Sequence, residues 1–152
     1  MPRQARIAPG GHAFHIINRS CRRSTLFFDD YDYSQFKTTL LAARDKFGTS
    51  ILAYCIMPNH WHLVVIPRED GELAKFMHWL TMQHAHAWHE KHKTRGTGHV
   101  YQNRYKSILI SDEEHLNIVC DYIENNPVRA NLTTSKTEWR WSSAGDRFKP
   151  VP

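Results

Sequence analysis

The apolar positions of the chain follow two rhythms. Between Asp30 and Phe47 they fall at Phe36, Leu40, Leu41, Ala43 and Phe47, which predicts a helix capped by Asp29 or Asp30 and stopped by Gly48. Leu73, Phe76, Met77 and Leu80 repeat the pattern in Glu72–Lys91, after a turn at Glu69–Asp70–Gly71. Between these helices Ala53–Ile66 reads AYCIMPNHWHLVVI. Pro58–Asn59 is turn chemistry and its flanks are apolar, so this stretch predicts two strands joined by a short turn. His12–Arg19 alternates loosely and predicts a first strand, and Val100–Ile110 (VYQNRYKSILI) a last one, with Arg104 and Lys106 on one face. Ser111, with Asp112, Glu113 and Glu114 behind it, predicts the capped start of a third helix. That helix runs through Leu116, Val119, Cys120 and Ile123 and stops near Asn126, ahead of Pro127. The resulting order is β, α, β, β, α, β, α. It is an α+β, ferredoxin-like βαββαβ antiparallel sheet with helices on its faces and an added C-terminal helix.

At 152 residues this is one domain, placed at 12–148, with a basic mobile arm over 1–11 and a tail at 149–152. No apolar run approaches the ~18 residues of a membrane helix. The N-terminus is basic but lacks the apolar stretch of a signal peptide. Cys21, Cys55 and Cys120 are odd in number, with no C-x-x-C, which fits reduced thiols and a cytoplasmic location. The net charge of +5 suits a polyanionic partner.

Candidate chemistry starts at His60 and His62. Two apart on a strand, they share a face, and Trp61 points away. Two imidazoles so placed are half a metal site. The chain has eleven histidines, and His84 with His86 forms a second such pair. With His78, His89 and His92, that pair reads as a solvated helix face. On the third helix Tyr122 and Asn126 are four apart and share a side, and Ile123 marks the buried face. Tyr122 therefore sits at the rim of the core, where it can face the histidine strand. A free phenol, with a pKa near ~10, is a poor nucleophile at neutral pH. It can attack a phosphodiester if a cation withdraws charge from the phosphate and organises the geometry. Tyr101 and Tyr105, beside Arg104 and Lys106, are candidates for base stacking or phosphate contact. Of Trp139 and Trp141, one is expected over the core and one partly exposed.

Four blocks carry a resemblance: MPNHWHLVV, GHVYQNRYKS, DYIENNPVRA and EWRWSS, in that order. Together they resemble the REP-associated tyrosine transposases, single-domain relatives of the single-strand insertion-sequence transposases within the HUH endonuclease superfamily. The resemblance implies that His60 and His62 are a metal pair, that Tyr122 is the nucleophile, and that Asn126 helps hold the ion, Mg²⁺ or Mn²⁺. It implies cleavage of single-stranded DNA beside a hairpin. A 5′-phosphotyrosine forms and a 3′-hydroxyl is freed, so strands can rejoin without ATP. Trp61 is bulkier than the aliphatic residue expected between the two histidines. Arg104, Lys106 and Arg129 are assigned to phosphate contacts, with Arg22 and Arg23 behind them. The resemblance implies single-stranded DNA with REP-like hairpins as the partner, and both monomer and homodimer stay open. Two rivals remain at this point: a non-catalytic binder of hairpin DNA or RNA, and a hydrolytic nuclease that uses a metal-bound water.

Overall fold

The computed structural model describes residues 8–146. Most of the expected basic arm and the whole of the expected tail lie outside the described residues. Four strands are present: β1 (Phe14–Arg19), β2 (Ser50–Met57), β3 (His60–Ile66) and β4 (Lys106–Leu109). They lie in the order β2-β3-β1-β4, and every neighbouring pair is antiparallel. Helix α1 (Asp30–Phe47) links β1 to β2, and α2 (Glu72–His92) links β3 to β4. This is the ferredoxin-like arrangement expected from the order of elements.

The main core lies on one face of the sheet. Phe14 and Ile16 of β1, Trp61, Leu63 and Val65 of β3, and Ile51, Tyr54 and Ile56 of β2 meet Phe36, Leu40 and Ala43 of α1 and Leu73, Phe76, Met77 and Leu80 of α2. Asp29 caps α1 by accepting from the Asp32 N–H at 3.0 Å. Gly48 ends it with φ 67°, a left-handed conformation that glycine adopts without a Cβ clash.

A register shift in β2 between Ile51 and Ala53 serves both faces of the sheet. The bulge turns Ile51 into the main core and Ala53 to the opposite side. There Ala53 packs with Val64, Ile110 and Ile123 in a smaller core under α3 (Glu113–Glu124). The opposite face also carries His60 and His62, in register with Arg19 and Ile17 of β1 and with Met57 and Cys55 of β2. The alternation of strand residues thus sorts the chain into an apolar side and a chemical side.

The free edge of β2 is covered rather than exposed. The Ile56 N–H donates to the Trp141 carbonyl at 2.8 Å, and Trp139 Nε1 donates to the Ile56 carbonyl at 2.9 Å. Ser143 Oγ accepts from the Tyr54 N–H at 3.1 Å. Such cover removes an edge that would otherwise pair with other chains. Trp141 is buried and Trp139 half-buried, as expected of that pair.

Three local expectations are corrected. The last strand is short, Lys106–Leu109 and not Val100–Ile110, because Val100–Tyr105 passes the end of β1 as an irregular segment with one bridge, Ser20 to Tyr101. The cap of α3 is Asp112, whose side chain accepts from the His115 N–H at 2.8 Å. Ser111 instead donates its N–H to His115 Nδ1 at 3.1 Å. After α3 the chain does not leave the helical path entirely: Asn125 caps both α3 and a single turn, α4 (Asn126–Arg129), with Pro127 in its first turn. Residues 8–11 are tied down, with Gly11 N–H on the Pro67 carbonyl at 2.7 Å and Gly10 N–H on Asp70 Oδ1 at 2.9 Å.

Candidate active site

The β2–β3 turn sets the site. Pro58 and Asn59 close it, and His60 follows at once on β3. The two imidazoles of His60 and His62 project to the same side, with ring centroids 5.1 Å apart. Trp61 projects to the other side and is wholly buried. The bulk of the indole is absorbed by the main core, where its ring lies 5.1 Å from that of Phe36. Its Nε1 donates to the Tyr101 hydroxyl at 3.2 Å.

The same hydroxyl is hydrogen-bonded to His84 Nδ1. Two sequence expectations fail here. His84 is fully buried and is not part of a solvated helix face. Tyr101 turns its hydroxyl inward to Trp61 and His84 instead of facing a nucleic acid. The cause is the segment after α2, which folds back over the end of β1 and brings Tyr101 over the backs of β3 and α2. Burial depresses the His84 pKa to about 3, so this imidazole is neutral.

On the chemical side, Asn126 of α4 brings its amide Nδ2 to within 3.3 Å of His60 Nε2. An amide nitrogen only donates, so His60 Nε2 accepts and carries a lone pair. His60 Nδ1 then holds the proton and donates it to Asn59 Oδ1 at 2.7 Å. The His60 tautomer is fixed from both sides. The buried His62 has Nδ1 3.0 Å from Nε2 of His15, which is also buried. Desolvation, with Arg19 in support, lowers the His60 pKa to about 4. Desolvation lowers His62 to about 2, helped by His60, His15, Arg19 and Arg129. Both rings are therefore neutral at physiological pH, the form that ligates metal.

Among the described residues no group of three or more His, Cys, Asp or Glu side chains is placed to hold a metal. The donor set at hand is two neutral imidazoles and one amide. It fits a divalent ion only with Asn126 turned to present Oδ1, and it leaves other coordination positions to water or phosphate.

Tyr122 lies on the last turn of α3 with 53% of its surface exposed, while its neighbour Ile123 is fully buried. The predicted rim position is what the helix delivers. Arg129, one turn past Asn126, sits with its Cζ 3.8 Å from the Tyr122 ring centroid. Helix α3 and the turn α4 thus bring Tyr122, Asn126 and Arg129 together at the His60 end of the sheet.

The remaining predicted cations divide. A cleft of about 270 Å³ lies beside β1 and is lined by Ile17, Asn18, Arg19, Arg23, Gln102, Asn103, Arg104 and Lys106. Arg23, Arg104 and Lys106 therefore cluster, while Arg22 is exposed and does not line the cleft. Arg22 and Arg23 both adopt positive φ, 56° and 55°, in the tight turn after β1.

Three residues of the site escaped the sequence reading: His15, Arg19 and Asn59. His15 and Arg19 are in phase with Ile17 on β1, a visible alternation. Their meeting with His60 and His62 depends on the β1–β3 pairing, in which Arg19 stands opposite His60.

With this geometry in view, similarity to known proteins becomes specific. Residues 10–126 match the family model for IS200-like transposases. A protein of Haemophilus influenzae named as a REP-associated tyrosine transposase is 26% identical over 130 residues, covering 80% of this chain and 73% of its own. The solved structure of a REP-associated tyrosine transposase bound to a REP hairpin superposes with a TM-score of 0.77 at 21% identity. It covers 96% of this chain and 84% of that one. A transposase crystal structure from Deinococcus radiodurans gives a TM-score of 0.56 at 20% identity, over 82% of this chain and 97% of that one. With the family model spanning most of its length, the chain belongs to the IS200-like transposases.

Proposed function

We propose that this transposase cleaves and rejoins single-stranded DNA beside hairpins through a 5′-phosphotyrosine on Tyr122. The observation that carries the reading is the meeting of His60 Nε2 with the Asn126 side chain, at the end of the helix that exposes Tyr122. A divalent ion, Mg²⁺ or Mn²⁺, held by His60, His62 and Asn126, would withdraw charge from the scissile phosphate. Tyr122 supplies the attacking oxygen: its O–P bond forms as the P–O3′ bond breaks, the phenolic proton passes to solvent, and the departing 3′-oxygen takes up a proton. The phosphodiester energy is kept in the phosphotyrosine, so a 3′-hydroxyl can reverse the step on the same or another strand.

Arg19, Arg23, Arg104 and Lys106 hold backbone phosphates in the cleft beside β1. Arg129 contributes positive charge at Tyr122. The REP hairpin in the superposable structure supports a hairpin partner here. Among the described residues no helix is long and apolar enough to cross a membrane. We place the activity in the cytoplasm, where thiols such as Cys55 stay reduced.

The test is covalent capture. The protein is incubated with Mn²⁺ or Mg²⁺ and 5′- or 3′-labelled single-stranded DNA carrying varied hairpins, then denatured. A protein–DNA adduct that retains the DNA 3′ of the cut is expected. Cleavage with two free ends and no adduct would instead indicate attack by water. Tight hairpin binding with no cleavage under either metal would mark a binder without chemistry.

A further inference from the structure

His15 has no role in the mechanism above, yet it is buried against a candidate ligand. It lies on β1 diagonally across from His62, since its own partner in register is Val64 and Ile17 stands opposite His62. Its Nε2 is 3.0 Å from His62 Nδ1. The ring planes differ by 23° and the centroids are 5.2 Å apart, much further than the two nitrogens. The rings thus meet edge to edge through one N–H···N bond and do not stack face to face.

One proton is shared across that contact, and its owner decides what His62 can do. If His15 donates, His62 keeps its proton on Nε2 and offers no lone pair there. If His62 donates, its Nε2 is bare and free to ligate. His60 shows which arrangement the site uses, because its Nδ1 donates to Asn59 and its Nε2 carries the lone pair. Metal-ligating histidines characteristically donate their second ring nitrogen to such an outer acceptor, which fixes both tautomer and ring orientation.

We propose that His15 is a positioning residue: it accepts a hydrogen bond from His62 Nδ1–H and so holds the Nε2 lone pair of His62 toward the metal. It does for His62 what Asn59 does for His60. The inference rests on the reading of His60 and His62 as a metal pair. An acceptor built from a neighbouring strand is stiffer than one on a loop, since β1 is paired on both sides. Both rings are buried, which excludes the water that would otherwise compete for His62 Nδ1.

Two measurements test this. The first is a long-range ¹H–¹⁵N correlation spectrum of the uniformly labelled, metal-free protein near neutral pH. His62 is expected with its proton on Nδ1 and a bare Nε2, and His15 with a bare Nε2. A His62 that carries its proton on Nε2 overturns the proposal without any variant. The second is Mn²⁺ titration, read by loss of the free-ion paramagnetic resonance signal, on the intact protein, His15→Phe and His15→Gln. Loss of an outer acceptor typically weakens metal binding by about 10- to 100-fold. His15→Phe is expected to fall in that range, and His15→Gln, whose amide oxygen can accept, to recover most of the affinity. Equal affinity in all three overturns the role of His15 alone. An intact protein that takes up no Mn²⁺ overturns the metal pair itself, and the role of His15 with it.

Discussion

The guanidinium of Arg129 lies over the ring of Tyr122, with Cζ 3.8 Å from the ring centroid, and its Nη2 donates to the Tyr122 carbonyl at 2.5 Å. One side chain thereby touches both the ring and the backbone of the candidate nucleophile. The contact crosses the break between α3 and α4, so it ties the turn that carries Asn126 to the candidate nucleophile. Arg129 was assigned to phosphate contact from sequence. What the structure shows is Arg129 stacked on the Tyr122 ring and bonded to its carbonyl, an arrangement that restrains Tyr122.

Replacing Arg129 with methionine keeps apolar contact and removes the charge and the hydrogen bond. One cation–π contact and one charge-assisted bond at an exposed position are together worth about 1–2 kcal/mol. If both act in the transition state, adduct formation slows by roughly 5- to 30-fold, since ~1.4 kcal/mol is a factor of ten. Single-turnover capture rates at saturating DNA measure this. An unchanged rate would show that the stacked arginine does not help the step.

The Trp61–Tyr101–His84 chain predicts a stability effect away from the chemistry. Tyr101→Phe leaves the Trp61 Nε1–H and His84 Nδ1 without the hydroxyl that now serves both. Leaving buried polar groups unsatisfied costs about 1–3 kcal/mol each, so a loss of about 2 kcal/mol or more is expected in urea unfolding. DNA binding should change little, because that hydroxyl lies on the core side of the sheet. A variant as stable as the parent would show that the chain of bonds contributes nothing.

Acid should unfold the protein in a defined window. The His84 pKa is about 3 in the folded state, depressed by burial from the ordinary 6.5. Below 6.5 the unfolded chain takes up a proton that the folded one refuses. Stability is therefore complete above pH 6.5 and declines as pH falls toward 3, by up to ~1.4 kcal/mol per pH unit for one such group. His60 and His62 shift in the same direction and add to the slope. Urea midpoints recorded against pH are expected to be flat above neutrality and to fall below 6.5, with a shallower fall in His84→Leu. A midpoint that rises on acidification would contradict the burial of these rings.

Much of this was legible in sequence, and particular residues show why. The stripe from Phe36 to Phe47 and the alternation around His60 are local patterns, and both formed as the periodicity requires. Tyr122 at the rim followed from one buried neighbour, Ile123. The failures that bear on the site were non-local, whereas the shift of the α3 cap from Ser111 to Asp112 was a local one. His84 reads as polar helix surface until the chain after α2 folds back and places Tyr101 against it. His15 and Arg19 gain meaning only from the β1–β3 register. The length of β4 was overestimated because the pattern of VYQNRYKSILI does not reveal that β1 has room to pair over only four residues, Phe14 to Ile17.

Salt dependence separates the basic cleft from the reaction centre. For single strands, each phosphate contact contributes about 0.7 to the slope of log affinity against log salt. Arg19→Gln and Arg104→Gln should each flatten that slope by about 0.7, whereas Arg22→Gln, outside the cleft, should have a smaller effect. Fluorescence anisotropy of labelled hairpin DNA across a salt series gives the slopes. Equal effects at Arg19, Arg104 and Arg22 would mean that charge acts diffusely and the cleft has no special part.

The identity of the nucleophile is the claim on which everything else depends. The direct measurement is peptide mapping by mass spectrometry of the denatured adduct after nuclease trimming, run beside Tyr122→Phe. A nucleotide phosphate on the peptide containing Tyr122, with no adduct from the phenylalanine variant, is the expected result. An adduct that persists in Tyr122→Phe, or a phosphate found on any other tyrosine, would contradict it.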